Sequence, residues 1–223
     1  DSDPKEKDSV TGSAKIKKVP LRKLTESGST RNNVTMRIFL TGVSCVGKTT
    51  IGKILAERLH YPFFDLDDEI EKYFGASIER LINRYLTGHT FRYEVGDVVL
   101  KDILFNRKSA DCVIAMPPSG LKDAYSRAIR TRTDSIVIAL MDTPANILQR
   151  VRFYDIDSKP IDKDLTDEDK KRYLKEIKKD ITYFGKTYKK AHLQVDIAGL
   201  SIDGSVSRIR EAVQPFLSAR ASG

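Results

Sequence analysis

Two regimes of apolar patterning alternate along this chain. Short, nearly unbroken apolar runs occur at Met36–Gly42 (MRIFLTG), Pro62–Asp67 (PFFDLD), Cys112–Met116 (CVIAM), Asp134–Met141 (DSIVIALM) and Leu193–Gly199 (LQVDIAG). Runs of this length, apolar at successive positions, are the mark of strands buried on both faces. Between them the period changes: within Lys48–Leu59 the apolar residues are Ile51, Ile54, Leu55 and Leu59, a helical spacing. Similar spacing predicts helices over Asp68–Phe74 and Ser77–Leu86, divided by Gly75, and over Tyr93–Phe105, Leu121–Thr131, Ala145–Phe153, Lys170–Lys190 and Ser205–Leu217. Asp155–Asp169 is polar, contains Pro160 and is expected to form a loop. Strands alternating with helices predict an α/β fold: three layers, α/β/α, around a five-stranded parallel sheet. Residues 1–35 are rich in Lys, Ser and Thr and cannot bury enough apolar surface to offset ordering entropy. They are expected to be a disordered basic tail or linker ahead of a single domain over 36–220.

Between the first strand and the first helix lies Gly42-Val43-Ser44-Cys45-Val46-Gly47-Lys48-Thr49-Thr50. Gly-x4-Gly-Lys-Thr in this context is a phosphate-binding loop. Its backbone N–H groups and the helix N-terminus point at a phosphate, and its glycines permit close approach. Lys48 adds a charge on the β/γ-phosphates, and the Thr49 hydroxyl is a ligand for Mg2+. Cys45 takes a slot whose neighbours supply backbone, so it is a tolerated loop residue; a redox role is the alternative, since a helix N-terminus lowers a thiol's pKa.

Asp65 and Asp67 stand at the carboxyl end of the second strand, where open α/β sheets bind ligands. Two apart on a strand, they share a face. One carboxylate can help position Mg2+ and the other can accept the proton of a substrate hydroxyl. Asp68 and Glu69 read as an acidic first helical turn.

The run "GVSCVGKTTIGKILAERLHYPFFDLDDEIEKYFGASIERL…FR" resembles the shikimate kinase family, with its phosphate loop, TTIGK-xLAxxL, F-x-D-x-D-xxIE, G-xSI and FR in order. The resemblance implies a P-loop kinase domain that uses ATP and Mg2+ to phosphorylate a small-molecule hydroxyl, shikimate being the candidate acceptor. It implies that Asp67 activates that hydroxyl, that Asp65 joins Thr49 at the metal, and that Arg92 contacts the acceptor carboxylate. The family's triple glycine, whose backbone touches substrate, falls on Pro117-Pro118-Ser119-Gly120, leaving Ser119 and Gly120 as acceptor contacts. Here two prolines remove N–H donors and stiffen the turn. The glutamate of the family's FRxxE is Val95, with Glu94 one residue off. A second carboxylate-binding arginine is Phe184, for which Lys186 is at best a partial substitute, because lysine lacks the bidentate fork.

A lid over about 153–170 carries Lys159, a candidate catalytic cation that would close over the phosphates. Arg150 and Arg152 both lie where the family stacks an arginine on adenine; Arg150 is the candidate carried forward. His60, His89 and His192 show no metal or triad spacing.

Composition trims these readings. The chain has 223 residues, 40% of them hydrophobic, and net charge +8. Eight Lys/Arg against five acids in 1–35, and eleven against seven in 159–190, carry much of that charge. The interspersed acids make these solvated surfaces rather than a nucleic-acid face. The tail remains a candidate docking segment for a protein partner. No window reaches the ~18 apolar residues of a membrane span, and no secretory core is present. Two cysteines form no disulfide framework, which fits a cytoplasmic setting; an organelle stays open because the chain starts at Asp1. Beside the kinase reading stand two others. One is an ATP-binding regulator or partner subunit with altered acceptor activity. The other is a kinase acting on nucleotides or polynucleotides.

Overall fold

The computed structural model describes residues 17–18, 36–105, 110–130, 132 and 134–221. Its elements are β1 (Lys17–Lys18), β2 (Arg37–Thr41), α1 (Lys48–Leu59), β3 (Phe63–Asp65), α2 (Leu66–Phe74), α3 (Ile78–Ile82) and α4 (Gly88–Phe91). A single π-helical turn, Arg92–Gly96, leads into α5 (Asp97–Phe105). There follow β4 (Cys112–Ala115), α6 (Asp123–Arg130), β5 (Ser135–Met141), α7 (Pro144–Gln149), β6 (Phe153–Tyr154), β7 (Pro160–Ile161), α8 (Asp167–Tyr188), β8 (Leu193–Asp196) and α9 (Ile202–Ala221).

Five strands run parallel in the order β8-β5-β2-β4-β3, as expected, and β1 adds a two-residue antiparallel edge on β8. Beyond Lys17–Lys18, the expectation of a disordered tail with a docking role lies outside the described residues. The central strands are buried along their length: every residue of β2 and β4 is inaccessible, and so is β5 from Ile136 to Leu140. That is what helices on both faces require of a parallel sheet. The register sets Leu40 beside both Ala115 and Ile138, and Asp65 beside Ala115. One row near the carboxyl edge of the sheet therefore carries the ends of β2, β3 and β4, while β5 runs on to Met141. At the opposite edge Arg37 is buried, ion-paired with Asp134, and donates to Leu104 O at 3.3 Å.

Several boundaries differ from the sequence reading. Polar Asp155–Asp169 is not all loop. β6 and β7 pair as a hairpin through it, with Ser158 in the left-handed region at φ 58°. α8 starts at Asp167, capped by the Thr166 side chain and led by three acids that suit a helix N-terminus. The Ser77–Leu86 helix stops at Ile82, and the Tyr93–Phe105 helix is divided by the π-turn. The Ala145–Phe153 helix ends at Gln149, with Thr143 as cap and Pro144 in its first turn. Among the described residues no helix is long and apolar enough to cross a membrane. Cys45 and Cys112 are both free.

Two glycines predict opposite outcomes. A Cβ on Gly96, inside the π-turn, would lie 1.8 Å from the Tyr125 hydroxyl, whereas one on Gly185, in the last turn of α8, would meet nothing within 4 Å. Gly96→Ala is expected to lower stability by ~1–3 kcal/mol through overpacking, and Gly185→Ala to raise it by ~0.5–1 kcal/mol through helix propensity. Urea unfolding of the two variants measures both.

Candidate functional site

The loop after β2 is shaped by its glycines. Gly42 sits at φ +147°, and a Cβ there would come within 2.8 Å of Leu140 O and 2.9 Å of the Val46 side chain. Gly47 at φ +110° is the N-cap of α1, so the helix opens from a backbone that L side chains avoid. Cys45 also has positive φ, 58°, and packs half-buried against the core between buried Val43 and Val46; Ser44 and Thr50 are exposed. A cradle walled by backbone in this way fits a polyphosphate.

Lys48, the first residue of α1, turns its ammonium back into the cradle, donating to Gly42 O at 3.0 Å and Val43 O at 2.9 Å. Burial pushes its pKa down to about 8, against the opposing pull of Asp67, then Asp65, then Cys45. Beside it the Thr49 hydroxyl donates to Asp65 Oδ2 at 2.6 Å, and the other carboxylate oxygen accepts from Asp67 N at 3.2 Å. Asp65 is thus the last residue of β3 and the N-cap of α2 at once.

Asp67 does not share the strand with Asp65, as the sequence spacing had suggested; it lies in the first turn of α2. The two carboxylates remain electrostatic neighbours because the cap folds Asp65 back over the helix start. Burial, with the Asp65 charge added to it, pushes the Asp67 carboxyl up to about 7, and Lys48 opposes the rise. A group near 7 can hold or release a proton at neutral pH. Thr49 and Asp65 form the only hydroxyl–carboxylate pair beside the cradle among the described hydrogen bonds. That donor set suits Mg2+, which takes one or two protein oxygens and completes its shell with phosphate and water.

On the acceptor side Arg92 opens the π-turn, half-buried, its Nη1 packed over Gly88. Arg92 and Asp67 meet electrostatically at a residue the sequence reading missed. Tyr125 of α6 is 1% exposed, and its hydroxyl pKa is raised by burial and then by Asp67, with Arg92 opposing. Nothing local distinguishes Tyr125, an aromatic on the apolar face of its helix; only the tertiary fold sets it between the two. Val95 is buried and Glu94 exposed, so Glu94 faces away from this side.

Pro117–Gly120 closes as a tight turn: Gly120 N donates to Pro117 O and Lys122 N to Ser119 O, each at 2.8 Å. The carbonyl of Pro118 accepts from the Tyr188 hydroxyl at 3.0 Å. Phe184 stacks on Tyr188 with ring centroids 5.9 Å apart. The Lys122 ammonium rests 3.6 Å from the centroid of Tyr183 and 5.1 Å from that of Phe184. A cation therefore does reach Phe184, but it comes from the turn before α6 and not from Lys186.

The β6–β7 hairpin docks on α2 and α3. Ser158 Oγ donates to Glu71 Oε1 and Ser77 Oγ to Ile156 O, both at 2.5 Å, and Arg80 Nε pairs with Asp157 Oδ1 at 2.6 Å. Lys159 is exposed, with its backbone N–H on Asp155 Oδ1, and the structure does not bring it to Lys48 or Asp67. Of the two arginines, Arg150 lies against the cradle. It donates to Val46 O at 3.2 Å and Asn146 O at 3.0 Å, and pairs with buried Asp142 at the end of β5. Arg152 is exposed.

Comparison with known proteins gives one consistent result. The sequence profile described as "Shikimate kinase" matches residues 44–213. Shikimate kinase of Aquifex aeolicus is 30% identical over 161 residues, spanning 72% of this chain and 86% of that protein. The structure of shikimate kinase from Acinetobacter baumannii in complex with shikimate superposes with TM-score 0.57 at 26% identity, covering 83% of this chain and 94% of that one. That of the Bacteroides thetaiotaomicron enzyme reaches TM-score 0.61 at 22% identity, covering 81% and 99%.

The raised Asp67 carboxyl predicts a stability signature. A folded-state pKa near 7 against 3.8 for the ordinary group means that the native state resists losing this proton. The contribution is favourable below pH 4 and is lost as pH rises towards and through 7. Asp67→Asn removes the charge at nearly constant shape. It is expected to stabilise the fold at pH 8 by ~1–4 kcal/mol, and by distinctly less at pH 5. Thermal unfolding at the two pH values reads the difference.

Proposed function

We propose, since the chain belongs to the shikimate kinase family, that it transfers a phosphoryl group from ATP to a hydroxyl of a small anionic acceptor. The observation that carries this reading is the backbone cradle that holds Lys48 on Gly42 O and Val43 O, with the Thr49–Asp65 pair beside it and Asp67 in the first turn of α2; Lys48 and Asp67 share one field. One is a lysine pushed down to about 8 and the other a carboxyl pushed up to about 7, and each senses the other. Two groups moved toward neutrality in one concave site are an acid/base and phosphate-binding pair more readily than a structural ion pair.

MgATP, when bound, would supply an activated γ-phosphoryl group with much of its charge neutralised by the metal. Residues 42–49 would hold its phosphates, Thr49 and Asp65 its metal, and Arg150, beside the loop, its base. Asp67 takes the proton of the acceptor hydroxyl at its carboxylate oxygen as that hydroxyl becomes a nucleophile. Lys48 holds its protons and presents positive charge to the phosphate oxygens. Arg92 orients the acceptor through its carboxylate, and the Ser119–Gly120 turn flanks it. The hairpin at 153–161, the tip of the lid, fastens over α2 and α3 through Arg80–Asp157 and Ser158–Glu71. Such closure excludes water, and Lys159 rides on that hairpin as its mobile charge.

The acceptor is a hydroxylated carboxylate of shikimate's size. Its binding differs from the family pattern, because Pro118 O is engaged by Tyr188 and an aromatic ring occupies position 184. The same observation favours a second reading, an ATP-binding regulator. Under that reading nucleotide would change the affinity for a macromolecular partner with no acceptor turned over.

Two measurements test the proposal. With ATP and Mg2+, ADP release is expected in the presence of shikimate or a related hydroxy acid, and Asp67→Asn should lower kcat by ~10²–10⁴-fold. No turnover across such a panel, in protein that still binds ATP, would overturn it. For an active acceptor, kcat/KM should rise with pH through about 7, as Asp67 ionises, and fall above about 8, as Lys48 loses its proton. A flat profile between pH 6 and 9 would remove both residues from the reaction.

A further inference from the structure

Away from this site, α6 and α8 leave a groove of about 630 Å3 between them. Its wall holds Lys122, Arg127, Arg130 and Lys190, together with Ser126 and Thr187. Among the described side chains no carboxylate lines it. Ser126 and Arg130 are four residues apart and so share a flank of α6, with Lys122, just before the helix, in line with them, while Tyr125 and Ile129 on the adjacent flank are buried in the core. The groove and the Asp67 site thus lie on different sides of one short helix.

The cations are not all loose. Lys122 is seated over the rings of Tyr183 and Phe184, and Arg127 lies over Tyr93 at 6.0 Å with Nη2 3.4 Å from its hydroxyl. Holding a charge by an aromatic face fixes its position while leaving it positive. Four positive groups in a concave wall raise the local concentration of anions well above that over a flat surface of the same charge. The volume is that of a small-molecule site. The groove has room for an anion larger and more highly charged than a single inorganic phosphate, such as a pyrophosphate, a phosphate ester or a tricarboxylate.

We propose that the α6–α8 groove binds a small, multiply charged anion, and that this ligand braces the acceptor turn. The connection is short. α6 begins just after the Pro117–Gly120 turn, and Tyr188, which holds the Pro118 carbonyl, follows Thr187 of the groove. An anion bridging Arg130 and Lys122 to Thr187 and Lys190 ties α6 to the end of α8, which the Tyr188–Pro118 hydrogen bond already joins to the turn before α6. The turn then loses part of its freedom to open. The groove acts on the acceptor side without touching it, and it stands apart from the question of which acceptor is used.

Amide chemical-shift titration of the full chain tests this. Pyrophosphate is expected to shift the amides of Ser126, Arg130, Thr187 and Lys190 saturably, with a dissociation constant separate from that of the amides at 42–49. Arg130→Glu with Lys190→Glu, both exposed, should weaken the groove constant at least tenfold and leave the loop constant unchanged. Arg130→Gln with Lys190→Gln repeats the test without reversing charge. Citrate in place of pyrophosphate separates polycarboxylates from phosphates: a saturable response to both assigns multiply charged anions in general, and to one alone that chemistry. Amide exchange of Gly120 and Lys122 should slow severalfold on binding. Absence of saturable groove shifts with either anion, or a groove constant unmoved by the substitutions, overturns the site. Unchanged exchange at Gly120 overturns its coupling to the turn.

Discussion

An ammonium and a carboxylate drawn out of water within reach of one another, Lys48 and Asp67, are the constraint around which this chain is arranged. Each is displaced toward its neutral form by burial and restored in part by its neighbour's charge. The fold meets this demand with backbone. Lys48 is held by two loop carbonyls, and the Asp67 N–H by a carboxylate that also receives the Thr49 hydroxyl. Parallel strands in register bring these groups to one edge of the sheet, and glycines at 42 and 47 let the loop turn back on itself. With the Asp67 carboxyl raised, ionising it in the folded state draws on stability.

The acceptor half follows a different logic. Where the family keeps glycines, this chain has a proline turn whose carbonyl is satisfied by Tyr188. Where the family has an arginine, it has a stack of Phe184 on Tyr188 approached by Lys122. These changes fit one another: the aromatic pair supplies a ring face for Lys122 and a hydroxyl for Pro118. Removing one member would leave a partner exposed or a carbonyl without its donor. The departures therefore form a rebuilt wall and are not scattered losses.

Much of this was legible along the chain, and the boundary of legibility has a physical form. The five parallel strands, the phosphate loop and the Asp65/Asp67 pair announce themselves because each is a local pattern: an apolar run, a fixed spacing, a strand end. Asp67 was placed on the strand instead of in the helix because a side-chain cap, not the apolar period, decides where β3 stops. The β6–β7 hairpin was missed because two-residue strands have no period to detect, and it is held by contacts to Glu71, Ser77 and Arg80 some eighty residues earlier. Tyr125 looked like an ordinary core aromatic, and only the packing of α6 against the π-turn sets its hydroxyl over Gly96 and between Asp67 and Arg92.

Tyr125 also shows why the two ends of the acceptor side must move together. Gly96 makes room for its hydroxyl, so the π-turn that begins at Arg92 and the helix that begins after Gly120 are packed with no spare volume between them. A shift of α6 by a fraction of an ångström has to be taken up either by Arg92 or by the proline turn, since close-packed interiors transmit displacement instead of absorbing it. Whatever steadies α6 from outside steadies both Arg92 and the proline turn at once. A helix of eight residues, too short to be stable by itself, is in that position the element that links the protein surface to the surroundings of Asp67 and Arg92.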